Sequence, residues 1–189
     1  MIRTSETHPL RIDAISSDKF SGKIGLTLCP GKYQLDGITG QWHRDLNSDL
    51  YKIKQWPAKV LISLMQKEEF AEYKVPNIGI KAEEYGIQWF HLPIYDRGVP
   101  DEEFELRWEE LTKNLQELLI TGHNIVFHCL GGLGRTGTIA SKLLMDFGYS
   151  ADEAISTVRH VRRGSIETFE QEQYLHDLMY EEMEELDNF

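Results

Sequence analysis

The chain predicts an α/β fold in which a mainly parallel central sheet is flanked by helices. Three observations lead there. Short apolar runs punctuated by Gly and Pro alternate with segments of helical period, and the C-terminal third is helical throughout. One apolar run, Ile125-Val126-Phe127, passes through a Gly-rich turn straight into a helical pattern.

The elements follow in order. Residues 1–20 are polar without clear period and predict a loose N-terminal arm, leaving 21–189 as a single domain. Ile24, Leu26 and Leu28 alternate with Gly25 and Thr27 and predict a strand over Lys23 to Cys29, closed by Pro30-Gly31. Leu46, Leu50 and Ile53 recur at helical spacing, and Pro57 ends that helix. Val60 to Met65 predicts a buried strand. Charged helical residues follow at 66–74, then a short helix from Asn77 to Tyr85 that Gly86 stops. Ile87 to Ile94 predicts a strand feeding the loop Tyr95-Asp96-Arg97-Gly98-Val99-Pro100. Phe104, Trp108, Leu111, Leu115 and Leu118 mark the apolar face of a long helix capped by Asp101 and closed by Gly122.

Three helices end the chain. The first places Ile139, Ala140, Leu143, Leu144 and Phe147 on the core; the second opens with the capping box Ser150-x-x-Glu153. Thr168-x-x-Gln171 caps the third, whose core face is Leu175, Leu178, Met179 and Leu186. Strands alternating with helices place ligands at the carboxyl ends of the strands.

Composition narrows the function. A net charge of −11 argues against nucleic acid or an anionic membrane as partner, because counterion release needs clustered Lys and Arg. No apolar run approaches the ~18 residues of a membrane span, and the first residues lack a secretion signal's apolar core. Two cysteines, Cys29 and Cys129, make no disulfide framework; the expectation is a cytoplasmic monomer. The seven histidines show no metal-ligand spacing, so neither a metal nor another cofactor is expected. Trp42, Trp56, Trp89 and Trp108 read as packing residues.

The chemistry concentrates in His128-Cys129-Leu130-Gly131-Gly132-Leu133-Gly134-Arg135-Thr136-Gly137. Five residues separate Cys129 from Arg135, and three of them are glycines, which let the backbone curl so that its amides face one anion. A ring of amides at a helix start favours a thiolate at Cys129 as much as a bound phosphate. Arg135 supplies a planar fork for two phosphate oxygens. Thr136 is placed to hydrogen-bond the sulfur, and His128 to hold the loop's backbone rather than to act as a base.

His-Cys-x-x-Gly-x-Gly-Arg-Thr-Gly resembles the signature loop of the cysteine-dependent protein tyrosine and dual-specificity phosphatases. Leu28-Cys29-Pro30-Gly31, Tyr73 to Asn77, Leu92 to Asp101, and Gln173-Tyr174-Leu175-His176 extend the likeness, over about 20–180, to the cyclin-dependent kinase-associated branch of the dual-specificity group. The resemblance implies a protein tyrosine phosphatase-like fold and a metal-free phosphomonoesterase acting on phosphotyrosine and phosphoserine or phosphothreonine of a protein substrate through a phosphocysteine. Phe127 and Tyr95 depart from the pattern without touching the required chemistry.

Such a mechanism needs an acid on a loop that closes over substrate. Asp96 lies 129 − 96 = 33 positions before the cysteine, where the resemblance implies the general acid; Asp101 is the second candidate and is better explained as an N-cap. Leu130, Gly131, Gly132, Leu133, Gly134 and Arg135 form the substrate cradle. Gln171 either positions the hydrolytic water, as the resemblance implies, or completes a capping box. Arg159, Arg162 and Arg163 either attract a phosphorylated substrate or form a solvated helix end. Cys29 reads as a small buried hydrophobe, with a protective disulfide to Cys129 the alternative. A lipid or small-molecule phosphatase and a rhodanese-type sulfurtransferase are the rival activities; Leu130 and Leu133 stand where polyphosphorylated headgroups would favour lysines.

Overall fold

The structure, a computed structural model, describes residues 2–38 and 40–187, with side chains described as far as Leu178. Met179 and Leu186, expected on the core, lie outside the described side chains.

Strands β1 (Ile2–Arg3), β2 (Asp13–Ile15), β3 (Ile24–Thr27), β4 (Tyr33–Gln34) and β5 (Gln41–His43) precede helix α1 (Leu46–Gln55). Then come β6 (Ala58–Ser63), α2 (Lys67–Glu72), α3 (Ile78–Glu84), β7 (Gln88–His91), α4 (Glu102–Ile120) and β8 (Asn124–His128). Helices α5 (Gly134–Asp146), α6 (Ala151–Val161) and α7 (Phe169–Asp187) close the chain.

The central sheet has the order β2-β3-β8-β6-β7, and every neighbouring pair is parallel except β2 with β3. Strand β8 lies in its middle with Ile125, Val126 and Phe127 wholly buried, the continuous apolar run of a strand covered on both faces. Ile125 and Phe127 join the core shared with Phe104, Trp108, Leu143 and Val158; Val126 joins the opposite cluster with Leu50, Ile53 and Ala82. Successive side chains therefore serve different helical layers. Because β3, β8, β6 and β7 run the same way, the segments leaving their carboxyl ends meet on one edge of the sheet. That edge gathers the cysteine loop after β8, α2 after β6, the Asp96 loop after β7, and Cys29 after β3.

One expectation needs correction. Residues 1–20 are no loose arm: β2 pairs antiparallel with β3, β1 pairs with β5, and Leu10, Ile15 and Phe20 are buried. Strands of two and three residues are too short to leave a readable alternation. The same brevity hides a second sheet, β1-β5-β4. It is tied to the domain by Arg44, whose guanidinium holds buried Asp49 at 2.7 and 2.8 Å and also donates to the His8 carbonyl.

Candidate active site

The loop's geometry follows from where its carbonyls go. Leu130 O accepts from Cys29 N–H (3.2 Å), and Leu133 O from Gly137 and Ile166 N–H (2.9 and 3.3 Å). The carbonyls of Gly131 and Gly132 accept from Arg162 at 3.0 and 2.5 Å. In a planar trans peptide, C=O and the next N–H point opposite ways, so four outward carbonyls turn the amides of Gly131, Gly132, Leu133 and Gly134 inward. Two of these have partners: Gly132 N–H donates to Cys129 Sγ at 3.2 Å and Gly134 N–H to Glu167 Oε2 at 2.9 Å. Gly132 has φ +70°, and a Cβ there would fall 2.2 Å from Thr27 O, so only glycine lets β8's loop turn this tightly against the end of β3. Helix α5 starts at Gly134 and adds its dipole.

Cys129 lies at the floor of a cleft of about 310 Å³ whose lining includes Lys32, Tyr73, Asp96, Arg135 and Glu167. Arg135 is buried, yet charged. Burial works against its charge, but hydrogen bonds to Glu69, with the charges of Cys129, Glu69 and Asp96, outweigh it and hold the guanidinium's pKa above its ordinary value. Its Nη1 and Nη2 grip Glu69 end-on at 2.7 and 2.9 Å, Nη1 also donates to Ile94 O (3.0 Å), and Nη2 donates to Asp96 Oδ1 (2.9 Å). The edge formed by Nε and Nη2 is thus the one a phosphate would engage, and Asp96 stands at its Nη2 end. Glu69 is mostly covered and Asp96 is 66% exposed. The buried Glu69 pair costs ~3–5 kcal/mol to break by removing one partner, whereas an exposed pair such as Asp96's is worth ~0–1 kcal/mol. Glu69 is the fixed holder and Asp96 the displaceable one.

His128, the last residue of β8, has a hydrogen-bond partner at each ring nitrogen. Trp89 Nε1, a donor only, reaches Ser63 Oγ at 2.8 Å, so the Ser63 hydroxyl turns its own hydrogen to His128 Nε2 at 2.5 Å. The ring proton then sits on Nδ1, facing Cys129 O at 3.3 Å. Burial pushes the His128 pKa down from 6.5 to about 3, keeping the ring neutral. The sign is that of a depressed base: its contribution is complete above pH 6.5 and is lost as pH falls towards about 3, because the unfolded chain takes up the proton first. We expect the stability of the wild type to fall with acidification across this window with a component of ~1.4 kcal/mol per pH unit. Denaturant unfolding of wild type and His128→Asn over the same pH series should show that component missing from the variant.

The expected bond from Thr136 to the sulfur is not made. The Thr136 hydroxyl is buried without a hydrogen-bond partner, and the sulfur is served by Gly132 N–H instead. Asp101 is the N-cap of α4, accepting from Phe104 N–H at 2.9 Å. Gln171 completes the Thr168 capping box at 3.2 and 3.4 Å, and its Nε2 also donates to Gly98 O (3.0 Å), binding the start of α7 to the Asp96 loop. Arg162 is neither a solvated helix end nor a substrate lure: besides the two loop carbonyls it holds Asp13 at 2.7 Å. Cys29 is fully buried, and burial raises its thiol pKa; both cysteines are free thiols. Glu69, Glu167, Ser63 and Trp89 were not expected at the site, and Arg162 was not expected to hold the loop's carbonyls. Among the described residues no helix is long and apolar enough to cross a membrane.

A parallel sheet whose central strand ends in an amide-lined cysteine loop, with an arginine opposite, defines a cysteine-dependent phosphatase of the dual-specificity type. The family model for cyclin-dependent kinase inhibitor 3 (CDKN3) matches residues 4–157. The chain belongs to that family. The mouse (Mus musculus) cyclin-dependent kinase inhibitor 3 is 30% identical over 170 residues, 89% of this chain and 75% of that protein. The human (Homo sapiens) protein is 32% identical over 177 residues, 91% and 80%. The crystal structure of kinase associated phosphatase, with its catalytic-site cysteine replaced by serine, superposes with a TM-score of 0.80 at 28% identity, covering 92% of this chain and 96% of that one. The chain is a protein phosphatase of this type.

Proposed function

We propose that Cys129 is the nucleophile, Arg135 and the loop amides the phosphate holders, and Asp96 the general acid, acting on a phosphorylated tyrosine, serine or threonine of a protein in the cytoplasm. The sulfur lone pair forms an S–P bond as the P–O ester bond breaks, and Asp96 delivers its proton to the departing oxygen. The inward amides of 131–134 and the Nε–Nη2 edge of Arg135 carry the equatorial charge. Water then attacks phosphorus, giving its proton to the Asp96 carboxylate, and the thiolate leaves with phosphate released. His128 stays neutral throughout and fixes the carbonyl of Cys129; Glu69 keeps the Arg135 fork aimed. Gln171, joined to the Asp96 loop through Gly98, suits placement of the attacking water, and Thr136's unpartnered hydroxyl suits the departing sulfur. The phosphatase domain includes the N-terminal strands, β2 being an edge of its central sheet, and no second chain, metal, nucleic acid or membrane enters the mechanism.

The observation that carries this reading is the outward engagement of four successive carbonyls, which commits the intervening amides to one anion beside Cys129. Iodoacetate is expected to inactivate the enzyme in step with carboxymethylation of Cys129, and inorganic phosphate to slow both. Activity surviving full modification of Cys129, or modification indifferent to phosphate, overturns the reading.

A further inference from the structure

One contact in the cleft belongs to no step above. Gly134 N–H, an inward amide at the first residue of α5, is already occupied by the Glu167 carboxylate at 2.9 Å. The segment that brings it there is built for the purpose. Ile166 has φ +61°, a left-handed conformation that a β-branched residue adopts only when its surroundings force it. Those surroundings are specific: Ile166 N–H reaches Leu133 O, and Arg159 donates to the carbonyls of Ser165 and Ile166, both at 3.1 Å. Gln171 Oε1 fixes the Glu167 N–H itself at 2.9 Å. Across the cleft the other carboxylate on the cradle, Asp96, is followed by Arg97 at φ +60°. Thr168 and Gln171 tie the two walls together through Arg97 O and Gly98 O.

From this geometry we infer that Glu167 is an internal competitor for the phosphate cradle: its carboxylate fills the Gly134 amide until the substrate's phosphate displaces it, and so sets oxyanion affinity. This rests on the reading of the loop as a phosphate cradle. A dianion entering beside Cys129 needs the Gly134 amide and meets a negative charge held against it, so the two cannot share the site at full strength. The displacement is feasible because Glu167 stands at the exposed rim. The competitor lowers the affinity of every cradle oxyanion by the same factor, so a substrate must draw the balance of its binding energy from peptide contacts outside the cradle.

The test compares inhibition by inorganic phosphate, with turnover of an aryl phosphate as readout, in wild type, Glu167→Gln, Glu167→Ala and Glu170→Gln. Glu170 is exposed in the first turn of α7 and serves as the charge control. Both Glu167 variants are expected to bind phosphate about tenfold more tightly and to lower KM for the aryl phosphate, the low end of what a hydrogen bond to a charged group is worth. Glu170→Gln should leave phosphate inhibition unchanged. Unchanged or weaker inhibition in both Glu167 variants, with lower melting temperatures, would make Glu167 a mere cap of α5 and overturn the inference. Equal tightening in Glu170→Gln would overturn it too, by showing general charge. Failure of the cradle reading looks different: the wild type itself then shows no inhibition by phosphate.

Discussion

Cys129→Ser is expected to lose turnover of aryl phosphates and phosphopeptides by about 10⁴-fold or more while still binding them, because removing a nucleophile removes the covalent route rather than the binding site. The substituted oxygen would receive the same Gly132 N–H now given to the sulfur at 3.2 Å, so the cradle has no reason to rearrange. A hydroxyl in that place has no base to ionise it: His128 is neutral and its Nε2 already accepts from Ser63. The similar phosphatase crystallised with serine at its catalytic-site cysteine keeps the same fold, so loss of activity in this chain is read as chemistry and not as unfolding. Single-turnover assays and phosphopeptide binding by calorimetry check both halves. Residual activity within tenfold of wild type would place the nucleophile elsewhere.

The cradle was legible because it is contiguous. Cysteine, glycines and arginine sit in one short stretch, and the conformational need at Gly132 is met by the only residue type that allows it. What was not legible is what holds the cradle from a distance. Glu69 lies in the charged segment Lys67-Glu68-Glu69-Phe70, which reads as a solvated helix face, yet its carboxylate both accepts from Gln66 N–H at 2.6 Å and grips Arg135. Locally α2 marks Glu69 only as the N3 residue of a capping box with Gln66; that it also meets Arg135 comes from β6 lying beside β8, a fact of sheet order. Arg162 was misread for the same reason. A cation at the end of a helix suits the dipole, and only the return of α6 beneath the loop shows that it faces two peptide carbonyls.

The acid shows how the two kinds of information join. Asp96 was chosen from its place on a Gly- and Pro-marked loop after a strand, and the structure puts its carboxylate 2.9 Å from Arg135 Nη2, at the edge a phosphate must take. On the proposed assignment Asp96 has two jobs that conflict in time: it accepts from Arg135 Nη2 and must step off it to reach the leaving oxygen. Asp96→Asn is expected to lower kcat by ~10²–10⁴-fold, the usual worth of a positioned proton donor. The deficit should be larger for alkyl than for activated aryl esters, whose leaving groups need less protonation. Phosphate should bind the variant more tightly, since an amide no longer competes for Arg135 as a charge. Asp101→Asn should stay close to wild type in both respects, because asparagine caps a helix about as well as aspartate. Full activity in Asp96→Asn with loss in Asp101→Asn would reverse the assignment. A fall in kcat without tighter phosphate binding would keep Asp96 as the acid and remove its role as the occupant of the arginine edge.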